Sequence, residues 1–179
     1  MLAKKFLLDA RARFCIVGPQ ISQNVVELVF PSLFAGREDL IQFYVNQNGG
    51  GINEDCCIVH CGNPDHRVPR GQWERIRIEG FYSISLDPDE KMHPFANMLR
   101  LHKTLLHGYA QVPEMRRFLE GHLPIAFDHS GMNAWINLTT GSIQFVNWYS
   151  YKEGPAEIAP SFQEFVSRFW INGPEPDFD

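Results

Sequence analysis

Between residues 123 and 148 the apolar positions fall into three short runs. They are broken by Asp128-His129-Ser130-Gly131 and by Thr139-Thr140-Gly141. Within each run, apolar and polar residues alternate with period two, and β-branched and aromatic side chains are frequent. Such runs read as strands, and glycine-containing breaks of this length read as hairpin turns. The segment predicts a three-stranded antiparallel meander.

Helical spacing governs other stretches. Leu2, Phe6, Leu7, Ala10 and Phe14 recur on one side of an N-terminal helix, until Gly18-Pro19 breaks the chain. Residues 25–30 predict a short second helix stopped by Pro31. Residues 37–47 predict a stronger one, with the stripe Leu40, Ile41, Tyr44, Val45 and with Glu38 and Asp39 favoured in its first turn by the helix dipole. Asn48-Gly49-Gly50-Gly51 follows, where a left-handed glycine can close a helix. Residues 52–61 and 76–86 read as strands, separated by a polar loop over 63–75. A helix is predicted from about residue 94, with Pro94 in its first turn, to 107, and a short one over 112–120. The last helix begins with the capping box Ser161-Phe162-Gln163-Glu164 and carries Phe162, Phe165, Val166 and Phe169, with Gly173-Pro174 as its stop. Strands and helices do not interleave regularly. The expected fold class is therefore α+β, a central antiparallel sheet including the C-terminal meander, flanked by helices.

A chain of 179 residues suits one domain. The expected division is a core over about 28–170, a helical appendage over 1–27 and a frayed acidic tail over 171–179. The net charge of -5 argues against a nucleic-acid partner, which calls for a basic patch, and suits a basic protein partner. No apolar run reaches the roughly 20 residues of a membrane span, and the N-terminus lacks the apolar core of a signal peptide. Three of the four cysteines crowd into residues 56–61, unlike a disulfide framework, so a reducing cytoplasm is the expected compartment.

Candidate chemistry changes this picture little. In Cys56-Cys57-Ile58-Val59-His60-Cys61 a strand would set Cys57 and Cys61 about 13 Å apart at roughly 3.3 Å per residue, too far to share an ion. The expectation is small residues filling a strand, with no metal and no cofactor. Asp128-His129-Ser130 holds the residue types of a hydrolase triad, but three consecutive residues cannot wrap their side chains into one. They read as a turn, with Asp128 bonding its own backbone and Gly131 supplying a positive φ. His102 falls on an apolar stripe and reads as a core histidine. Asp87, Asp89 and Glu90 read either as paired carboxylates or as a solvated turn before a helix. Trp73, Arg75, Arg77 and Tyr82 read either as a partner-binding set, given the enrichment of aromatic and arginine residues at hot spots, or as ordinary strand pairing. Together with the three carboxylates they form the candidate partner-binding residues. No catalytic residue is assigned.

Four features then stand in order: a helix ending in Asn48-Gly49-Gly50, the strand 123–128, the hairpin from Gly131 through Asn133 to Gly141, and Ile158-Ala159-Pro160-Ser161-Phe162 with Phe165. This order resembles the SUKH superfamily, which includes fungal cell-wall-assembly regulators and bacterial immunity proteins of polymorphic toxin systems. The resemblance covers about residues 28–169. It implies an α+β fold and a non-enzymatic protein that binds partners, in bacterial members a cognate toxin, often a nuclease. It also implies structural roles: Asn48, Gly49 and Gly50 at a helix end, Asp128, Gly131 and Asn133 at a turn, Ser161, Phe162 and Phe165 in a packed helix. The family often has Leu-Pro before the first of these helices, and Phe30-Pro31-Ser32-Leu33 is the nearest counterpart. The leading expectation is an immunity protein. The alternatives are a scaffold in cell-wall or stress signalling, and a small-ligand binder or enzyme using a cleft beside the sheet. Oligomeric state is left open.

Overall fold

The computed structural model describes residues 14–15, 18–52, 56–61, 73–87, 97–128, 133–146 and 155–171. Five helices lie among them: α1 (Gln23–Val29), α2 (Arg37–Asn46), α3 (Met98–Gly108), α4 (Pro113–Gly121) and α5 (Phe162–Ser167). The strands are β1 (Phe14–Cys15), β2 (Gly50–Ile52), β3 (Cys56–Cys61), β4 (Trp73–Arg77), β5 (Gly80–Phe81), β6 (His122–Phe127), β7 (Asn133–Asn137), β8 (Ile143–Val146), β9 (Ala156–Ala159) and β10 (Phe169–Ile171). Seven strands form one sheet in the order β1-β2-β5-β6-β7-β8-β9, and three form a second in the order β10-β3-β4. Every described pairing between these strands is antiparallel. The α+β class and the 123–148 meander, now β6-β7-β8, are as the hydrophobic pattern implied.

Helices cover both faces of the large sheet, and β7 shows it in three residues. Ala134 and Ile136 join the main core with Phe30, Tyr44, Phe162 and Phe165 of the α1–α2–α5 side. Trp135, between them, turns to a smaller cluster with Leu119, Val146 and the half-buried Leu105, Leu106 and Phe118 of the α3–α4 side. Successive side chains of a strand point to opposite faces, so this alternation places one helical layer on each. Pro124 sits inside the sheet beside a register shift between Pro124 and Ala126, the irregularity that lets a proline without an N–H occupy a paired strand.

The pattern misplaced several boundaries. Residues 52–61 form two strands in different sheets rather than one, with Ile52 ending β2 and Cys56 starting β3. The 63–75 loop gives way to β4 at Trp73. Residues 76–86 do not form one strand: Ile78 and Glu79 turn the chain out of β4 and into β5, so adjacent segments pair in different sheets. The helix expected from Pro94 starts at Met98, because Asn97 is extended and its side chain accepts from the Leu99 and Arg100 amides. Phe14, assigned by spacing to the N-terminal helix, lies in β1 opposite Ile52. Phe169, assigned to the last helix, leaves it to pair with Ile58 in β10. In both cases the chain forms sheet hydrogen bonds and the ring joins the core, which outweighs a continued helical period. The rest of the N-terminal helix lies outside the described residues.

Candidate functional site

Some of the residues singled out at the sequence level, Asn48, Gly49, Tyr82, Asp87, Asp128 and Asn133, lie in or beside the segment 82–87, which two buried asparagines hold in place. Asn48 follows Gln47, the residue that caps the C-terminus of α2 and is itself extended. The left-handed glycine is Gly49 (φ 68), one position later than a helix-closing glycine would stand. Asn48 is therefore not merely part of a helix stop. Its side-chain amide donates to the carbonyls of Pro19 and Ile84, each at 2.8 Å, and its Oδ1 accepts from the Ile84 amide at 2.8 Å. Its own carbonyl accepts from Gly18 N at 3.0 Å. Gly49 has to be glycine here, since a Cβ would come within 2.6 Å of the Tyr82 carbonyl oxygen.

Asn97 secures the other side. Its Oδ1 caps α3 at 2.9 and 3.1 Å, while its Nδ2 donates to the Ser85 carbonyl at 3.3 Å. Met98 N donates to the Ser83 carbonyl at 2.8 Å. Between these clamps Tyr82, Ser83 and Ile84 are buried, and the chain emerges at Leu86 and Asp87, both exposed. The Asp87 amide donates to Ser85 Oγ at 3.2 Å, an early turn of the kind its polar neighbourhood implied.

Tyr82 is 5% exposed, which withdraws it from the partner-binding set. Its hydroxyl donates to Asn133 Oδ1, and its ring packs on Phe127 with centroids 5.0 Å apart. Burial, and then the charge of Asp128, push the phenol above its ordinary range. The structure thus brings together three residues that the sequence assigned separately: Tyr82, Asp128 and Asn133. Asp128 follows β6 and Asn133 opens β7, as a strand-turn-strand reading requires.

The other candidates do not join this site. Trp73 and Arg75 lie in β4, opposite Cys61 and Val59 of β3. Arg77, opposite Cys57, is half exposed and sits 3.4 Å from Glu79. Gly50 starts β2 opposite Phe81. Phe162 and Phe165 are buried in the core, and Ser161 Oγ accepts from Glu164 N at 3.2 Å, the first half of the expected capping box. Asp89, Glu90 and Gly131 lie outside the described residues.

Two histidines proved structural. His102 Nε2 lies 2.7 Å from the Leu119 carbonyl, tying α3 to the end of α4. His122 stacks on Phe118 with centroids 4.0 Å apart. Its Nδ1 lies 2.7 Å from the Phe118 carbonyl, which can only accept, so Nδ1 carries the proton. Nε2 is then the acceptor for Asn137 Nδ2 at 3.1 Å. Burial lowers the His122 pKa, against the opposing pull of the Phe118 carbonyl. Asn97 and Leu28 escaped the sequence reading. Asn97 was discoverable as an N-cap residue before Met98; Leu28 was discoverable as an apolar residue on the side of α1 opposite Val26.

Charge is divided between the layers. The α3–α4 hairpin exposes Arg100, Lys103, Arg116 and Arg117 against Glu114 and Glu120. The opposite layer carries Glu27, Glu38, Asp39 and Glu164 against Arg37 and Arg168. Among the described residues no group of three or more His, Cys, Asp or Glu is placed to hold a metal ion. No helix among them is long and apolar enough to cross a membrane.

No curated protein and no solved structure matches the chain. The model of the SMI1 / KNR4 family (SUKH-1) matches residues 38–168. That stretch is more than half of the chain and runs from α2 through α5, so the protein belongs to the SMI1 / KNR4 (SUKH-1) family.

Proposed function

We propose that the protein acts in the cytoplasm by binding another protein rather than by catalysis, as an immunity protein that neutralises a cognate toxin. Membership of the SUKH-1 family carries this reading. The division of charge supports it. A nuclease toxin needs a basic groove for its substrate, and a carboxylate-rich face such as that of α1, α2 and α5 is complementary to such a groove. Opposite charge raises the encounter rate, and occupation of the groove excludes substrate without any bond being made or broken. The clamped segment 82–87 adds a second fixed ridge, with Leu86 and Asp87 at its exposed end.

The test is co-expression with toxin domains encoded in neighbouring genes. Growth restored by this protein, together with a complex that co-elutes in size-exclusion chromatography, is the expected result. Continued toxicity and no complex with any of these domains would refute the immunity role.

A further inference from the structure

Among the described residues the exposed large apolar side chains are Leu28 (73%), Leu33 (87%) and Leu86 (58%). Two of the three sit at one corner, at the end of α1 and in the connection to α2. Leu28 occupies the side of α1 opposite the buried Val26, where an amphipathic helix carries a polar residue. Pro31, also exposed, lies between the two leucines.

The connection is held, not loose. Phe30 is fully buried against Tyr44, ring centroids 5.8 Å apart. Arg37 Nε donates to the Phe30 carbonyl at 2.8 Å, and Arg37 N to the Phe34 carbonyl at 3.3 Å. Ala35 N donates to the Thr140 carbonyl at 3.4 Å, docking the connection on the β7–β8 turn. Gly36 packs against Ser161 and Phe162 at the start of α5. An apolar projection fixed in this way loses little conformational freedom when covered.

Its surroundings are acidic. Glu27, Glu38, Asp39 and Glu164 lie on the elements that meet at this corner. The cations on these elements, among the described residues, are Arg37, whose side chain is 13% exposed and turned to Phe30 and Glu38, and Arg168 at the end of α5, whose guanidinium donates to the Ile158 carbonyl at 2.7 Å. The projection precedes residues 38–168, the stretch that the family model matches.

We infer that Leu28, Pro31 and Leu33 form a knob that enters an apolar pocket bordered by lysine or arginine on the toxin partner. This inference rests on the immunity reading and names the surface through which it works. An apolar centre with a charged rim is the anatomy of a specific interface: the centre holds the complex together and the rim sets encounter rate and choice of partner.

The experiment titrates the purified full chain against the purified toxin domain encoded beside its gene. Wild type is compared with Leu33→Ser, with the double variant Leu28→Asp/Leu33→Asp, and with Glu38→Lys. All these positions are exposed, so circular dichroism and Tm are expected to match wild type. Leu33→Ser is the milder probe if the double variant unfolds. The knob predicts binding weakened about tenfold or more by the leucine variants, through faster dissociation. It predicts slower association, with less salt dependence, for Glu38→Lys. Folded leucine variants that bind as tightly as wild type would overturn the knob and leave the immunity role standing. Wild type that does not bind would overturn both. A wild-type dimer made monomeric by the leucine variants would assign the corner to self-association and overturn the knob.

Discussion

Asn48 shows how one amide can join three separate parts of a chain. It holds Pro19, Ile84 and the end of α2 at once, and it is 3% exposed. Truncating it leaves an N–H and two carbonyls without their partner in the interior, where each unmet group costs about 1–3 kcal/mol. Asn48→Ala is expected to lose roughly 2–4 kcal/mol in urea denaturation. A loss below about 1 kcal/mol would show that the amide is replaceable by neighbours or water. Tyr44 is the converse. Its hydroxyl is buried with no hydrogen-bond partner among the described residues, and burial holds its pKa well above the ordinary phenol value. The hydroxyl brings desolvation cost and no bond. Tyr44→Phe should keep the ring contacts with Phe30 and Phe43 and leave stability equal or higher by up to about 1 kcal/mol. A clear loss of stability would contradict this.

At the scale of elements, His122 links α4 to the meander. It accepts from Asn137, which in turn accepts from the Thr139 and Thr140 amides at 2.8 and 3.0 Å and so shapes the β7–β8 turn. The folded protein holds His122 below its ordinary pKa. An unfolded chain with a histidine pKa near 6.5 therefore binds a proton before the folded one does. Stability is full above about pH 6.5 and falls as pH drops from there toward the lowered folded value. Thermal melts between about pH 7.5 and 5 should show a fall in Tm that is smaller in His122→Gln. Equal slopes for the two proteins would remove His122 as the cause.

The meander was legible because its turns are short and contain glycine. Gly141 is indeed left-handed (φ 81), with the Ala35 carbonyl where a side chain would stand. α5 was legible from Ser161, yet its end was not. Phe162, Phe165, Val166 and Phe169 keep helical spacing, and only the pairing with β3 turns Phe169 into a strand. The split of residues 52–61 was hidden for the same reason: which sheet a strand joins is decided by distant partners, Phe81 for β2 and Ile76 for β3. Local period carries no record of that choice.

For the whole molecule, the sheet separates a hairpin rich in exposed cations from a carboxylate-rich helical layer. A net charge of -5 read along the chain conceals this division, because it sums over both. The candidate site was therefore only partly legible. Asp87 did emerge at the surface, but Tyr82 went inward to Asn133, which an aromatic residue in a strand pattern could not reveal in advance. The apolar corner at Leu28 and Leu33 was not legible at all as a surface, since exposure depends on the packing of Phe30, Phe34 and the β7–β8 turn around it. These features are the ones on which the proposed binding role rests: a charged surface with a fixed apolar centre. The most direct measurement is the affinity of the purified chain for the toxin domain encoded beside its gene, taken by calorimetry at low and high salt. Expected is a stoichiometric complex of submicromolar Kd, tighter than about -8 kcal/mol, weakening as salt rises. No detectable binding at either salt concentration, with the toxin active in its own assay, would contradict it.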